Sequence, residues 1–313
     1  MPDLFDSHVA TSDLAEMTGF DLAFVENAIG RSGRLPGLNY RSATDQENAD
    51  IAAEARMIID GGKIESEVDR VDKWETGWGE VLERIKKDGV STDTLTPQYF
   101  RHHFLRWRGK YIFAEDIGFE QTFYTHVRRL MFSRFLGDID QIIEFGCGTG
   151  TSLMMLRDMY PNVHLVGCDW AAPSQEIIAE INDETDARID PVNFNMRNLA
   201  GLAQLDFRPE TAIVTLHSME QLGAEIELFL DMLLTAKPRL CLHLEPILEF
   251  YDPTVEFDNI AIEYHNKRNY LSGFYNKLIQ MKDSAEIDII QARRLGYGST
   301  FQEAYSLILW RPL

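Results

Sequence analysis

The sequence predicts an α/β protein in which a parallel, doubly wound sheet, closed by an antiparallel hairpin, follows a largely helical region. Three observations carry that expectation. After residue 138, short apolar runs (141–145, 163–168, 189–194, 212–216 and 240–244) alternate with helical stretches (152–159, 174–181, 197–204 and 224–234). Such alternation with short connections is the pattern of a parallel sheet covered by helices on both faces. The last two apolar runs, 286–294 and 304–310, are joined by a segment holding Gly296, Gly298 and Ser299, which suits a hairpin. A longer helix is expected before them, over 259–282. Ahead of residue 138 the apolar residues recur at helical spacing, as at Phe123, Val127, Leu130 and Met131.

Within this first part, helices are expected over 45–60, 63–88, 96–115 and 121–136, the third because Thr96-Pro97 reads as a start signal. Residues 1–44 read as a loosely ordered or lid-like arm. The change of character at Gly137 and Asp138 divides the chain into a helical cap or substrate-binding region, 1–138, and a ligand-binding domain, 139–313.

Composition narrows the function classes. With 45% hydrophobic and 26% charged residues, 313 residues can build a sizeable core. Thirty basic against fifty acidic side chains leave a net charge of −20, which repels phosphate backbones and argues against a nucleic-acid partner. The three cysteines, Cys147, Cys168 and Cys241, are far apart and form no C-x-x-C pair, so reduced thiols are expected, with no disulfide frame and no zinc site. Neither a secretory pattern nor a window of about 18 apolar residues is visible, which points to a cytoplasmic protein with no membrane partner. A homodimer is compatible with this composition.

The chemistry-bearing segment is Ile142-Ile143-Glu144-Phe145-Gly146-Cys147-Gly148-Thr149-Gly150. An apolar strand delivers the chain to a turn with glycines at alternate positions, where missing side chains admit a ligand to the backbone. A helix then starts, and its free N–H groups face that ligand. Asp169 ends the next predicted strand, 19 residues after Gly150, where a carboxylate can accept both ribose hydroxyls of a nucleoside. The G-x-G-x-G spacing differs from the G-x-G-x-x-G of dinucleotide sites.

The segment resembles motif I of class I S-adenosylmethionine-dependent methyltransferases, and the resemblance extends over about 139–313. It implies a Rossmann-like seven-stranded sheet with a C-terminal antiparallel hairpin, and S-adenosyl-L-methionine as cofactor. It implies cofactor contacts from Glu144, Gly146, Cys147, Gly148, Gly150 and Asp169. Trp170 would pack on the adenine; Asn195, where the family often has Asp, would meet its edge, with Met196 beside it.

The resemblance further implies a small polar acceptor, such as a sugar, sugar nucleotide or secondary metabolite, held at the ends of the fourth and fifth strands. His217, at the fourth strand's end, is a candidate base and cofactor neighbour. His243 and Glu245 are two apart at the end of the fifth and share one face of it, making a second catalytic pair. Oxygen is slightly favoured over nitrogen as the methylated atom, because two histidines supply bases. Tyr264 and Arg268 share a helical face and are candidate acceptor contacts, as are Tyr124 and the mixtures at Trp74–Trp78 and at Arg101 to Phe104. Adjacent His102 and His103 point apart on a helix, so no metal is expected. A protein or RNA acceptor, or a non-catalytic binding subunit, are the alternatives.

Overall fold

The computed structural model describes residues 5–61, 67–97 and 102–313. The chain opens with β1 (Ser7–Ala10), α1 (Thr11–Thr18), α2 (Leu22–Ile29), β2 (Arg34–Ser42), α3 (Asp45–Gly61), α4 (Glu67–Asp88) and the single turn α5 (Thr92–Leu95). It continues with β3 (Phe104–Trp107), β4 (Lys110–Ala114) and α6 (Phe119–Phe135). Alternation then follows: β5 (Gln141–Phe145), α7 (Thr151–Met159), β6 (His164–Asp169), α8 (Ala172–Glu184), β7 (Ile189–Asn193), β8 (Thr211–Leu216), α9 (Glu227–Ala236) and β9 (Leu240–Glu245). The remaining elements are α10 (Glu256–Arg268), α11 (Phe274–Asp283), β10 (Ile287–Arg294), β11 (Tyr297–Ser299) and β12 (Ser306–Pro312).

Seven strands form one sheet in the order β10-β12-β9-β8-β5-β6-β7. The pairs β5–β6, β5–β8, β6–β7 and β8–β9 are parallel, whereas β12 runs antiparallel to both β9 and β10. Period-two alternation sorts the side chains of each strand between two cores. Ile142, Val214, Leu242 and Leu307 enter one cluster, and Ile143, Phe145, Ile213 and Ile308 enter the other. The order reverses at β5, so the carboxyl ends of β5, β6 and β8 flank the crevice where α/β sheets bind ligands.

The first part of the chain is less helical than its sequence suggests. Residues 96–115 do not form a helix: 98–101 lie outside the described residues, and Phe104–Ala114 is a hairpin. Its turn is Arg108-Gly109, both left-handed (φ +51° and +78°), between paired Trp107 and Lys110. Two left-handed residues make the turn whose twist matches a β-ribbon. Residues 7–42 are likewise ordered as β1, α1, α2 and β2. These strands assemble a second, antiparallel sheet, β1-β2-β4-β3-β11, whose last member comes from the connection between β10 and β12.

Two expected helices differ as well. Residues 197–204 hold turns and a short 3-10 segment, Leu202–Gln204, in place of an α-helix. The long helix over 259–282 is two helices, α10 and α11, because Asn269 adopts φ +49° and caps the first. The helix α6 matches its periodicity, burying Phe119, Phe123, Val127, Leu130 and Met131 along one face.

Candidate functional site

A cleft of about 300 Å³ opens at the carboxyl ends of β5, β6 and β8. The glycine loop forms its floor. Gly146 has φ +73°, and a β-carbon there would lie 2.2 Å from Ser218 Cβ; Gly148 has φ +52° and would meet the Trp78 ring at 3.0 Å. Both positions therefore exclude side chains, on backbone and packing grounds together.

Glu144, two residues before Gly146, lines the cleft and is 2% exposed. Burial pushes its carboxyl up to about 8, against the opposing pull of Arg128 and of a hydrogen bond from Ser152. Its Oε2 has no hydrogen-bond partner among the described residues. Arg128, from α6, reaches into the same cleft, donates to Ser152 Oγ at 2.8 Å and keeps its Nε unbonded. A buried carboxyl and a buried guanidinium, each with an unused polar atom, are costly unless something else completes them.

Asp169 ends β6 and accepts from the Gly148 N–H (2.9 Å) and the Ala171 N–H (3.0 Å). Burial raises it to about 6 against those two donors. It thus braces the glycine loop while lining the cleft beside Trp170. Asn195 and Met196 line the neighbouring wall; Asn195 Oδ1 accepts from the Arg197 N–H at 2.9 Å and keeps a second lone pair. Cys147 lines the floor with its thiol pushed up by burial, whereas Gly150 starts α7 at φ +74°. Trp74 and Trp78, on α4, cover the loop with ring centroids 5.2 Å apart, and Tyr124 lines the cleft from α6.

The candidate acceptor residues separate. His217 lines the cleft in the left-handed region (φ +57°), fixed by its N–H donating to the Leu244 carbonyl at 2.9 Å. A β-substituted residue in that region persists only when its surroundings over-determine it. Its Nε2 is in ion-pair contact with Glu220 Oε2 at 3.1 Å, off the line of a full hydrogen bond. Burial lowers the imidazole's proton affinity, but Glu220, Glu245 and Glu120 raise it further, and the ring titrates at about 9. At neutral pH His217 is an imidazolium, not the ready base that its sequence position suggests.

His243 is no candidate base. It is fully buried between the sheet and α11, with Phe274 against its ring. Trp310 Nε1 donates to its Nε2 at 2.9 Å, and Thr215 Oγ1 lies 2.8 Å from its Nδ1. An indole nitrogen only donates, so the ring's one lone pair is already taken. Burial holds it neutral, down to about 3. Glu245 shares its strand face but ends nearer the rim, where it accepts from the Ser218 N–H at 3.0 Å and is raised by burial to about 7. It sits behind His217 and does not line the cleft. Tyr264 and Arg268 are also outside it, packed on one another (5.3 Å) and against Phe301.

The cleft also uses residues that the sequence did not single out: Ser152, Ser218, Gln221 and Leu222. Ser218 donates from Oγ to the Phe145 carbonyl at 2.8 Å, tying the end of β8 to that of β5. Its only signal in the sequence is adjacency to His217. Among the described residues, no group of three or more His, Cys, Asp or Glu could hold a metal, all three cysteines are free and buried, and no helix is long and apolar enough to cross a membrane.

No family model and no curated protein matches the chain. Solved structures resemble it at low identity. The [4+2]-cyclase SpnF is 13% identical over 79% of this chain and 96% of its own, with a TM-score of 0.49. The N,N-8-amino-8-demethyl-D-riboflavin dimethyltransferase RosA from Streptomyces davawensis is 14% identical over 100% of this chain and 92% of its own, at 0.42. The small RNA methyltransferase HEN1 is 15% identical over 60% of this chain at 0.44, and the chain spans only 25% of HEN1's length. At these levels it is the strand order, not the likeness, that decides. A parallel sheet reversing at β5, with an antiparallel β12 inserted between β9 and β10 and a glycine loop after β5, is the class I methyltransferase fold.

Proposed function

We propose that the protein transfers a methyl group from S-adenosylmethionine to a small polar acceptor. The observation that carries this reading is the pair Glu144 and Arg128, an acid and a guanidinium buried in one cleft with an unused polar atom each. A zwitterionic amino-acid end fits that pair, its ammonium toward Glu144 and its carboxylate toward Arg128. Asp169 suits ribose hydroxyls, and Trp170, Asn195 and Met196 suit an adenine. When bound, this cofactor supplies a methyl group activated on a sulfonium. The chain's own residues would then hold the acceptor in line, exclude water beneath Trp74 and Trp78, and, once the His217 ring has given up its own proton, take the acceptor's proton there.

A sugar, sugar nucleotide or secondary metabolite remains the acceptor class we favour, in a cytoplasmic setting that suits three free thiols. The preference for oxygen now rests on His217 alone, since His243 has no lone pair to offer.

Calorimetric titration with S-adenosylmethionine and with S-adenosylhomocysteine tests the reading. Both should bind, and Asp169→Ala should weaken each by roughly 1.5–3 kcal/mol, the scale of hydrogen bonds to a charged group. Absence of binding to either by the unaltered protein would refute it.

A further inference from the structure

We propose that His217 and Glu220 form a proton-holding dyad that a cationic methyl donor discharges. The imidazole carries its proton in the free protein and releases it when a sulfonium enters the cleft, so a proton acceptor exists only in the loaded site. This inference rests on the proposed function and adds to it a coupling between donor charge and base.

The geometry is a layered one. His217 stands between the cleft and three buried carboxylates that come from three different elements. Glu220 follows it by three residues and touches its Nε2 at 3.1 Å. Glu220 is itself held, accepting from Gln221 Nε2 at 2.6 Å and from Gln302 Nε2 at 3.3 Å. Glu245, at the end of β9, keeps an Oε2 with no partner among the described residues. Glu120, in the first turn of α6, is tied to His102 Nδ1 at 2.6 Å and to the Tyr305 hydroxyl at 3.5 Å. From the other side α10 contributes His265, buried with neither ring nitrogen bonded and held neutral by burial, down to about 4. The Tyr305 ring completes the surround, 5.9 Å from the imidazole.

With Nε2 engaged by Glu220, Nδ1 is the nitrogen left for an acceptor's proton, the division of labour by which a carboxylate orients a catalytic imidazole. Glu220 is thus a positioning residue. In the free protein the surrounding carboxylates favour the imidazolium, which cannot accept anything. A second positive charge in the same buried cleft disfavours that form and drives the proton out. The demethylated product carries a neutral sulfur and exerts no such push. As the methyl group passes to the acceptor's lone pair, the C–S electron pair stays on sulfur and the acceptor's proton goes to His217. The ring is then recharged beside a neutral product.

The test is proton counting, which needs no turnover. Binding of S-adenosylmethionine and of S-adenosylhomocysteine is measured calorimetrically at pH 8 in phosphate and in Tris, whose ionisation heats differ. The methylated ligand should release roughly half a proton or more per site beyond its demethylated product. His217→Gln should abolish that difference while S-adenosylhomocysteine still binds within a few-fold. Glu220→Gln should shift the difference to lower pH and move the acid limb of the turnover profile the same way. NMR titration of the His217 ring, free and with each ligand, gives the same answer without any substitution. Equal proton release for the two ligands, or a difference that survives His217→Gln, overturns the dyad and leaves the proposed function standing. Failure of both ligands to bind would overturn the function itself.

Discussion

His217 and His243 stand at adjacent strands of one sheet and do opposite things. His243 is inside the sheet's face, where one indole and one hydroxyl use both of its nitrogens and burial keeps it neutral. His217 is one step beyond the end of β8, in a strained backbone turn, among carboxylates that keep it charged. The contrast teaches that burial alone does not set a histidine's state. A fully buried imidazole and a half-buried one diverge because the first has only hydrogen-bonding neighbours and the second has charged ones.

The comparison can be broken most forcefully from the core side. His243→Ala should leave Trp310 Nε1 and Thr215 without their partner and open a void, costing about 3–5 kcal/mol in urea unfolding. S-adenosylhomocysteine affinity should be spared where the protein is folded. A large loss of affinity with little loss of stability would put His243 back in the site. From the rim side, Gly146→Ala forces a left-handed alanine against Ser218, and should cost about 2–4 kcal/mol while disabling ligand binding. An unperturbed Gly146→Ala variant would mean that the rim is looser than its geometry implies.

A subtler divergence is in pH. His217 titrates higher in the folded chain than the unfolded value near 6.5, so its stabilising contribution is complete below pH 6.5 and fades as pH rises through about 9. The stability of the unaltered protein relative to His217→Gln should therefore fall by about 2–3 kcal/mol across that window. His243 has the reverse sign: its folded value is depressed, so its contribution is complete above pH 6.5 and is lost as pH falls toward 3. Parallel slopes for the two histidines would erase the distinction. The smallest expected effect belongs to Arg268→Ala, which should leave S-adenosylhomocysteine affinity within about twofold because Arg268 packs on Tyr264 away from the cleft.

How much of this was legible in the sequence follows from how local each feature is. The glycine loop, Asp169 and the alternation of β5 to β9 can be read directly, since each depends on neighbours within a few residues. The closing hairpin is legible for the same reason. The hairpin Phe104–Ala114 is not, because Thr96-Pro97 mimics a helix start while the signal that matters, a left-handed Arg108-Gly109 pair, is weak until the turn is seen. The fates of the histidines are least legible of all. His217 becomes cationic chiefly through Glu220, only three residues on, with Glu245 and then Glu120, nearly a hundred residues earlier, adding to it, and His243 is neutralised as a base by Trp310. No spacing rule connects Glu245, Glu120 or Trp310 to these histidines; only the assembled sheet does.

The three-residue strand β11 has a consequence for how the molecule is made. By pairing Tyr297, Gly298 and Ser299 with Trp107, Arg106 and Leu105, it fastens the first sheet to the connection between the last two strands. That closure spans about 190 residues of chain, and loop-closure entropy makes such contacts late ones. During synthesis, β3 must wait with an unpaired edge until nearly the whole polypeptide has emerged. The first sheet thus reaches its final form only with the last strands, so a chain cut short of β11 would be left with a sticky edge on that sheet.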